Sequence, residues 1–385
     1  MSDFDAAEAA GAVRGGAEAA RGTGGAAGHV TREAARDNPG EARTNAGADG
    51  RPQIRVLGAP RAPIPERVPL TPRFGGCASG AGIGVGAGAS GEGFRRLPEW
   101  LKVKLPGQGE YGETKALLRA QKLVTVCEEA HCPNLGHCWS RGTATIMILG
   151  ELCTRRCGFC AVAPGKPNGF VDWDEPRRVA EAVAAMNLRH TVITSVARDD
   201  LADGGSTIFA QVIRAIREKS QTVIEVLIPD FRGHAEDLER VIEARPEVIN
   251  HNIETVERLH PLVRPSARYA RSLELLKRVK ESGAGIKAKS GIMLGLGEQP
   301  DELRQTLRDL RAHGCDLLTI GQYLRPSTNH LPVIEYVHPD KFANWGREAE
   351  EIGFENVASG PLVRSSFHAD ELAGTVRPGE SSKAG

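Results

Sequence analysis

The stretch CEEAHCPNLGHCWSRGTATIMILGELCTRRCGFC (127–160) carries six of the eight cysteines of the chain. Closely spaced thiols in a reducing compartment are more often metal ligands or redox groups than disulfides. An apolar run, TATIMILG (143–150), separates two groups of three and is typical of a buried strand. The first triplet is Cys127, Cys132 and Cys138, and the second triplet is Cys153, Cys157 and Cys160.

Downstream of this stretch, apolar β-rich runs alternate with helical patterns to give six strand–helix repeats. Near-continuous apolar strands indicate a parallel sheet, either doubly wound or barrel-like. Polar residues follow several strands, as at the catalytic rim of barrels, and no Gly-x-Gly-x-x-Gly motif follows the first strand. The pattern therefore predicts an α/β fold, a partial (β/α)6 TIM-type barrel with N-terminal and C-terminal extensions. The six strand candidates are 143–150, 190–196, 222–231, 247–256, 285–297 and 317–327.

The ends of the chain have a different composition. Residues 1–92 are rich in Gly, Ala, Pro and Arg, and such a segment buries too little apolar surface to offset its ordering entropy. We expect a disordered tail over 1–92 and an N-terminal extension with the first triplet over 93–142. The barrel then occupies 143–356, and 357–385 forms a C-terminal segment with a frayed tail.

Charge and hydropathy limit the partners. The 385 residues include 49 basic and 49 acidic side chains, so no overall charge favours nucleic acid or an anionic membrane. No apolar run approaches the roughly 18 residues of a spanning helix, and the N-terminus lacks the pattern of a secretory signal. We expect a cytoplasmic protein that binds neither nucleic acid nor a membrane.

The second triplet has C-x3-C-x2-C spacing in a loop after the first strand. Three thiolates can hold three irons of a [4Fe–4S] cluster and leave the fourth iron open. A zinc site completed by a histidine is the alternative, but zinc sites more often use paired C-x2-C spacings. The spacing therefore favours a cluster with an open coordination position.

With Phe159 inside it, this triplet resembles the signature of the radical S-adenosylmethionine (SAM) enzymes. The resemblance implies that the open iron binds SAM and that its cleavage yields methionine and a 5′-deoxyadenosyl radical. Candidate cofactor-binding residues are Phe159, Asn252, Glu254 and Gly291. An ordinary strand-end turn at Gly291 and hydrogen-bonded rim residues at Asn252 and Glu254 are the alternatives.

The first triplet has C-x4-C-x5-C spacing and also offers only three thiolates. A second [4Fe–4S] cluster on it would lack one protein ligand. On the residues alone, His131 or His137 is a candidate to complete the site, and a zinc site is again the alternative.

Seven motifs are spread along the chain: CEEAHCPNLGHCW (127–139), CTRRCGFC (153–160), SVARDDLADGG (195–205), NHNIETV (250–256), KSGIMLGLGE (289–298), GQYLRPS (321–327) and GPLVRSSFHAD (360–370), which contains an Arg-Ser-Ser (RSS) motif. With these motifs the chain resembles, over roughly residues 97–370, the lipoyl synthases, a family of radical SAM enzymes. The resemblance implies that a serine of the RSS motif is the fourth ligand of the cluster on the first triplet, the auxiliary cluster, and we assign this role to Ser366 with Ser365 as the alternative. Phe367 stands where the family usually has tyrosine, so a packing role is kept and a hydroxyl is lost.

The resemblance implies a sulfurtransferase that inserts two sulfur atoms, at C6 and C8, into a protein-bound N6-octanoyl-lysine. Its cofactors would be SAM and two [4Fe–4S] clusters, the auxiliary one serving as sulfur donor, with no side chain acting as catalyst. Its partners would be octanoylated carrier domains (2-oxoacid dehydrogenase E2 subunits and the glycine cleavage H protein). A ferredoxin or flavodoxin would supply electrons, and an iron–sulfur carrier would rebuild the cluster.

Two other classes of function remain as alternatives. One is a different sulfur-inserting radical SAM enzyme, such as a methylthiotransferase or a biotin-synthase-like protein. The other is a non-catalytic two-cluster protein, which would leave the barrel and the open ligand position unexplained.

Overall fold

The computed structural model describes residues 96–102, 109–129, 132–140 and 145–374. The disorder predicted for 1–92 lies outside these residues, and so does the frayed tail predicted after 374. His131 also lies outside them, and the side chain of His137 is not described.

One sheet holds all the described strands, and its spatial order follows the chain order. The first two strands pair antiparallel, and every later pair is parallel. Within the described residues no pairing joins the last strand to the first, so the barrel is open. The strands are β1 (Val124–Thr125), β2 (Thr145–Ile148), β3 (His190–Ser195), β4 (Val223–Leu227), β5 (Val248–Asn250), β6 (Lys287–Leu294), β7 (Leu317–Gln322) and β8 (Asn356–Gly360).

Helices connect the parallel strands and cover the outside of the sheet, which confirms the α/β class. No helix in the described part of the chain is long and apolar enough to cross a bilayer. The helices are α1 (Gly109–Ala120), α2 (Val126–Glu129), α3 (Leu135–Ser140), α4 (Glu175–Met186), α5 (Ser206–Lys219), α6 (Ala235–Glu243), α7 (His260–Val263), α8 (Tyr269–Glu281), α9 (Pro300–Ala312), α10 (Pro339–Ile352) and α11 (Ala369–Leu372).

The six predicted strands correspond to β2–β7, and each is followed by a predicted helix. All four residues of β2 are buried, as expected for a strand covered on both faces. The helical spacing in α5 places Ile208, Val212 and Ile216 in the core, each at most 2% exposed.

The sequence pattern did not predict two of the strands. β1 is only two residues long, and β8 has the sequence NVASG, with no buried residue and no apolar run. β8 nevertheless pairs in parallel with β7 and extends the sheet to seven parallel strands. It therefore lies within the segment that we predicted as a C-terminal extension.

After β8 the chain turns back along the inner face of the sheet. The carbonyl oxygen of Val363 lies 2.2 Å from where a Cβ on Gly321 would stand, so the two backbones are in close approach. The segment ends at α11, where Leu372 packs against Val248 and Leu317, the first residues of β5 and β7. We call residues 361–372 the return segment.

A buried charge network also lies inside the barrel. The Lys289 Nζ is 2.8 and 3.0 Å from the two carboxylate oxygens of Glu225, and both side chains are fully buried. His190 and Asn250 contact the same carboxylate at 3.3 and 3.2 Å. Burial alone would raise the pKa of Glu225, but Lys289 and His190 together outweigh it and the pKa is lowered. The barrel interior is therefore polar at the level of Glu225 and Lys289, and the two charges there are paired.

Candidate metal centres and cofactor site

The second triplet lies in the loop between β2 and α4, and other loops hold this loop in place. The backbone N–H of Gly158 donates to Val263 at 2.9 Å, and its carbonyl accepts from Leu331 at 3.0 Å. The carbonyl of Cys160 lies 3.0 Å from the Nε2 of His330. A Cβ on Gly158 would meet the side chain of Leu331 at 2.9 Å, so any larger residue here requires Leu331 to shift.

The cysteines of this loop are half-buried and close to one another. Burial raises the pKa of Cys157 to about 11 and that of Cys160 to about 12, and the neighbouring Cys153 contributes to both shifts. Thiols that must bind metal as thiolates are stabilised when the metal supplies positive charge. Cys157 and Cys160 therefore fit a metal cluster and are poorly suited to remain as bare thiolates.

Arg155, inside the triplet, anchors the loop through a buried ion network that the sequence did not reveal. Its guanidinium donates two 2.8 Å hydrogen bonds to Asp199 and one of 2.6 Å to Asp230. Arg271 donates to the other oxygen of Asp230 at 3.1 Å. Burial raises the pKa of Asp230, but Arg155 outweighs this and lowers it to about 2. The pattern C-x3-C gave no signal for Arg155, because the positions between the cysteines are not ligands.

The predicted SAM contacts lie together beside this loop. Asn252 donates through Nδ2 to Glu254 at 3.1 Å, and its Oδ1 is buried with no hydrogen-bond partner among the described residues. A Cβ on Gly291 would meet that Oδ1 at 2.8 Å and the Thr319 hydroxyl at 2.7 Å. The free acceptor and the close backbone fit a ligand that presents hydroxyl or ammonium donors, as SAM does.

Glu254 has a backbone conformation that side chains rarely adopt, with a φ of +67°. Its carboxyl is buried, and burial raises its pKa despite the nearby Arg264. Arg264 holds the same turn by donating to the carbonyl of Asn252 at 2.8 Å. Phe159 is half-buried and packs against the core at the cluster loop. A strained, buried carboxyl beside the second triplet is suited to bind a cationic ligand group.

The first triplet lies at the opposite end of β2. The register pairs Thr125 with Ile146, which brings Cys127 next to the first residue of β2. The backbone N–H of Cys132 donates to Cys127 at 3.0 Å, and Cys138 donates to Asn134 at 2.9 Å. Burial raises the pKa of both Cys127 and Cys132. These thiols therefore meet the same conditions for binding a cluster as the second triplet.

The return segment brings the RSS motif to this triplet. The Ser366 hydroxyl accepts a hydrogen bond from Thr145 at 2.7 Å, and Thr145 is the residue of β2 beside Cys127. Ser365 instead accepts from Asn252 at 2.6 Å, on the side of the SAM contacts. The half-buried Arg364 lies close enough to Cys132 for its charge to lower the pKa of that thiol, against the larger rise caused by burial. The two serines therefore face different parts of the site.

Phe367 follows the two serines, and its ring lies 4.1 Å from that of His368. The packing role expected of Phe367 is therefore present.

In the described part of the chain, no group of three or more His, Cys, Asp or Glu side chains is arranged to hold a single metal ion. The other described cysteine, Cys315, is fully buried, and its pKa is raised by burial, as expected of a structural thiol.

Replacing Gly321 with alanine is expected to displace the return segment and the Ser366 hydroxyl with it. The new Cβ would lie 2.2 Å from a backbone oxygen, which a side-chain rotation cannot relieve. We expect loss of iron from the first triplet while the second triplet keeps its cluster, measured as iron per chain and by electron paramagnetic resonance (EPR). Gly112→Ala is the control, because nothing lies within 4 Å of its added Cβ. Equal iron content in the two variants would contradict the expectation.

Comparison with known protein families agrees with the cysteine loop after β2 and the mostly parallel sheet. The chain matches the model of the Radical SAM superfamily over residues 147–310 and that of the N-terminal domain of lipoyl synthase over 88–132. A solved FeFe-hydrogenase maturase, HydG from Carboxydothermus hydrogenoformans, is 18% identical, with a TM-score of 0.43 and 65% of each chain covered. The family matches, the cysteine loop after β2 and the mostly parallel sheet define a radical SAM enzyme.

Two curated relatives show to which family of radical SAM enzymes the chain belongs. Lipoyl synthase from Rubrobacter xylanophilus is 56% identical over 283 residues, which cover 73% of this chain and 88% of the relative. Lipoyl synthase from Neisseria meningitidis serogroup C is 55% identical over 280 residues, covering 72% and 86%. The chain belongs to the lipoyl synthase family. It is a sulfurtransferase that uses SAM and [4Fe–4S] clusters, as the sequence predicted.

Proposed function

We propose that this lipoyl synthase builds its two clusters on separate ligand sets. Cys153, Cys157 and Cys160 hold the cluster that binds SAM, and Cys127, Cys132, Cys138 and Ser366 hold the auxiliary cluster. One observation supports the second assignment: Thr145, which the strand register places beside Cys127, donates a hydrogen bond to Ser366, whereas Ser365 accepts one from Asn252. Of the two serines, Ser366 is therefore the better candidate ligand.

When bound, the cofactors supply the radical that removes hydrogen from C6 and C8 of the octanoyl chain and the sulfur that replaces it. The side chains supply position and exclude water, because an unactivated C–H bond offers no proton for a side-chain base to remove. The return segment connects the two sites, since Ser365 contacts the SAM side and Ser366 the auxiliary side. This arrangement keeps both sites in one rigid frame around the substrate chain.

For SAM itself we propose four contacts. Asn252 offers its unpartnered Oδ1, Glu254 its buried carboxyl, and Gly291 a backbone without a side chain in the way. Phe159 packs beside the loop of the second triplet. None of these side chains acts as an acid or base in the proposal.

The substrate is an octanoyl group on a lysine of a lipoyl carrier domain, which we extend to 2-oxoacid dehydrogenase E2 subunits and the glycine cleavage H protein. A ferredoxin or flavodoxin would provide electrons, and an iron–sulfur carrier would restore the auxiliary cluster after it donates sulfur. The cytoplasm is the proposed compartment, because its reducing conditions keep cluster thiols free.

The test is an anaerobic reconstitution with iron and sulfide, followed by incubation with SAM, a reductant and an octanoylated carrier peptide. The proposal expects about eight irons per chain, four for each cluster, and a peptide that carries two new sulfur atoms. About four irons would contradict the two ligand sets. SAM cleavage with no sulfur in the peptide would instead favour a different radical SAM reaction, and no cleavage at all would favour a non-catalytic two-cluster protein.

A further inference from the structure

The auxiliary ligand set comes from two segments that are distant in sequence. The cysteines of the first triplet precede β2, and Ser366 stands 221 positions after Thr145, the first residue of that strand. Metal binds more tightly to ligands that are already held in position, because a mobile ligand loses conformational entropy when it binds. Some side chain must therefore fix the return segment against the cysteine loop.

Thr145 makes one contact of this kind. Its hydroxyl donates to the Ser366 oxygen at 2.7 Å, and the pairing of Thr125 with Ile146 places this first residue of β2 beside Cys127. The residue is only 6% exposed, so water does not compete for the contact. Thr145 thus holds the serine next to the strand start where Cys127 lies.

Asn134 makes two contacts. It lies between Cys132 and Cys138, and its carbonyl accepts a hydrogen bond from the backbone N–H of Cys138 at 2.9 Å. Its Nδ2 donates to the carbonyl of Leu362 in the return segment at 2.6 Å, and the residue is 3% exposed. Asn134 therefore holds another cysteine ligand and the segment that carries Ser366.

We propose that Thr145 and Asn134 are positioning residues of the auxiliary site, each holding the return segment beside the first triplet. This inference rests on the proposed role of Ser366. Thr145 donates the hydrogen bond that fixes the Ser366 oxygen, so the serine needs less ordering when metal binds.

The chain offers a matched control for Thr145. Thr191, in the neighbouring strand β3, is 1% exposed, and its hydroxyl has no hydrogen-bond partner among the described residues. Thr145→Val and Thr191→Val make the same chemical change at two buried positions, but only the first removes a contact to Ser366. Thr145→Ser keeps the hydroxyl and serves as the conservative variant.

The experiment measures iron release to a chelator from the reconstituted full-length chain, with EPR to distinguish a three-iron from a four-iron cluster. Loss of a partner behind a metal ligand typically weakens metal binding about 10- to 100-fold. We expect Thr145→Val to release one iron per chain about 10-fold faster than the unaltered chain and to accumulate a three-iron signal. Thr145→Ser and Thr191→Val should behave like the unaltered chain. Asn134→Leu should also release iron faster, and it tests the idea if Thr145→Val does not fold.

Equal release from Thr145→Val and Thr191→Val would overturn the positioning role of Thr145. Unchanged release from Asn134→Leu would do the same for Asn134. Ser366→Ala separates this inference from the assignment on which it rests. If Ser366→Ala releases iron faster and Thr145→Val does not, only the positioning role fails. If Ser366→Ala leaves iron release unchanged, the proposed serine ligand fails and the positioning role fails with it.

Discussion

Replacing Cys157 with alanine is expected to abolish both SAM cleavage and lipoyl formation, with a loss of at least about 1,000-fold in each rate. Two thiolates cannot hold a site-differentiated [4Fe–4S] cluster that needs three, and the remaining protein groups cannot replace radical chemistry. Iron should fall from about eight to about four per chain, because the auxiliary cluster has its own ligands. The measurement is 5′-deoxyadenosine and methionine production in the reconstituted variant.

The matched variant is Cys127→Ala, in the first triplet. It should still cleave SAM, because Cys153, Cys157 and Cys160 remain, but it should transfer no sulfur to the octanoyl peptide. Cys127 lies in α2 and Cys157 in the loop after β2, so the circular dichroism of both variants is compared with that of the unaltered chain to detect a folding defect. Sulfur transfer by Cys127→Ala, or SAM cleavage by Cys157→Ala, would contradict the division of labour between the triplets.

Lys289→Met is expected to destabilise the protein by about 3–5 kcal/mol, because it leaves the Glu225 carboxylate buried without its counter-ion. Both side chains are fully buried, so water cannot replace the lost partner. The measurement is urea unfolding of the metal-free protein by circular dichroism, with the free energy of unfolding extrapolated to water. We expect the double variant Glu225→Met with Lys289→Met to recover much of the loss, since no buried charge is then unpaired.

An exposed ion pair provides the control. Lys277 lies 3.8 Å from Glu281, and their side chains are 46% and 62% exposed. Lys277→Met removes the same kind of charge and should change the free energy of unfolding by less than about 1 kcal/mol. A cost below about 1 kcal/mol for Lys289→Met would mean that the interior charge of Glu225 is lost by protonation or hydration at little expense.

The sequence predicted the fold well where one residue pattern decides the structure. The apolar strands β2–β7 are buried on both faces, and helices such as α5 bury every third or fourth residue, so local patterns carry the information. β8 has no such pattern, because pairing with β7 and cover from α10 hold it in place instead. A strand that depends on its neighbours gives little signal in its own residues.

The candidate site likewise combines features that the local sequence predicts with features that depend on contacts distant in sequence. Cysteine spacing located both triplets, because ligands of one loop must be close in sequence. The contacts of Thr145 and Asn134 to the return segment span more than 200 positions, and nothing in either local sequence predicts them. Arg155 was also missed, since its partners Asp199 and Asp230 come from loops after two other strands. Long-range contacts of this kind are visible only once the barrel brings the loops together.

The position of Ser366 also sets an order of events during synthesis. A ribosome that has delivered both cysteine triplets and β2 must still deliver β3–β8 before the serine follows. On the proposed ligand sets, the nascent chain holds all three thiols for the SAM-binding cluster long before Ser366, the proposed fourth ligand of the auxiliary site, is synthesised. Iron–sulfur loading of that site is then expected to mark completed translation, because a chain stopped before the RSS motif can never finish it.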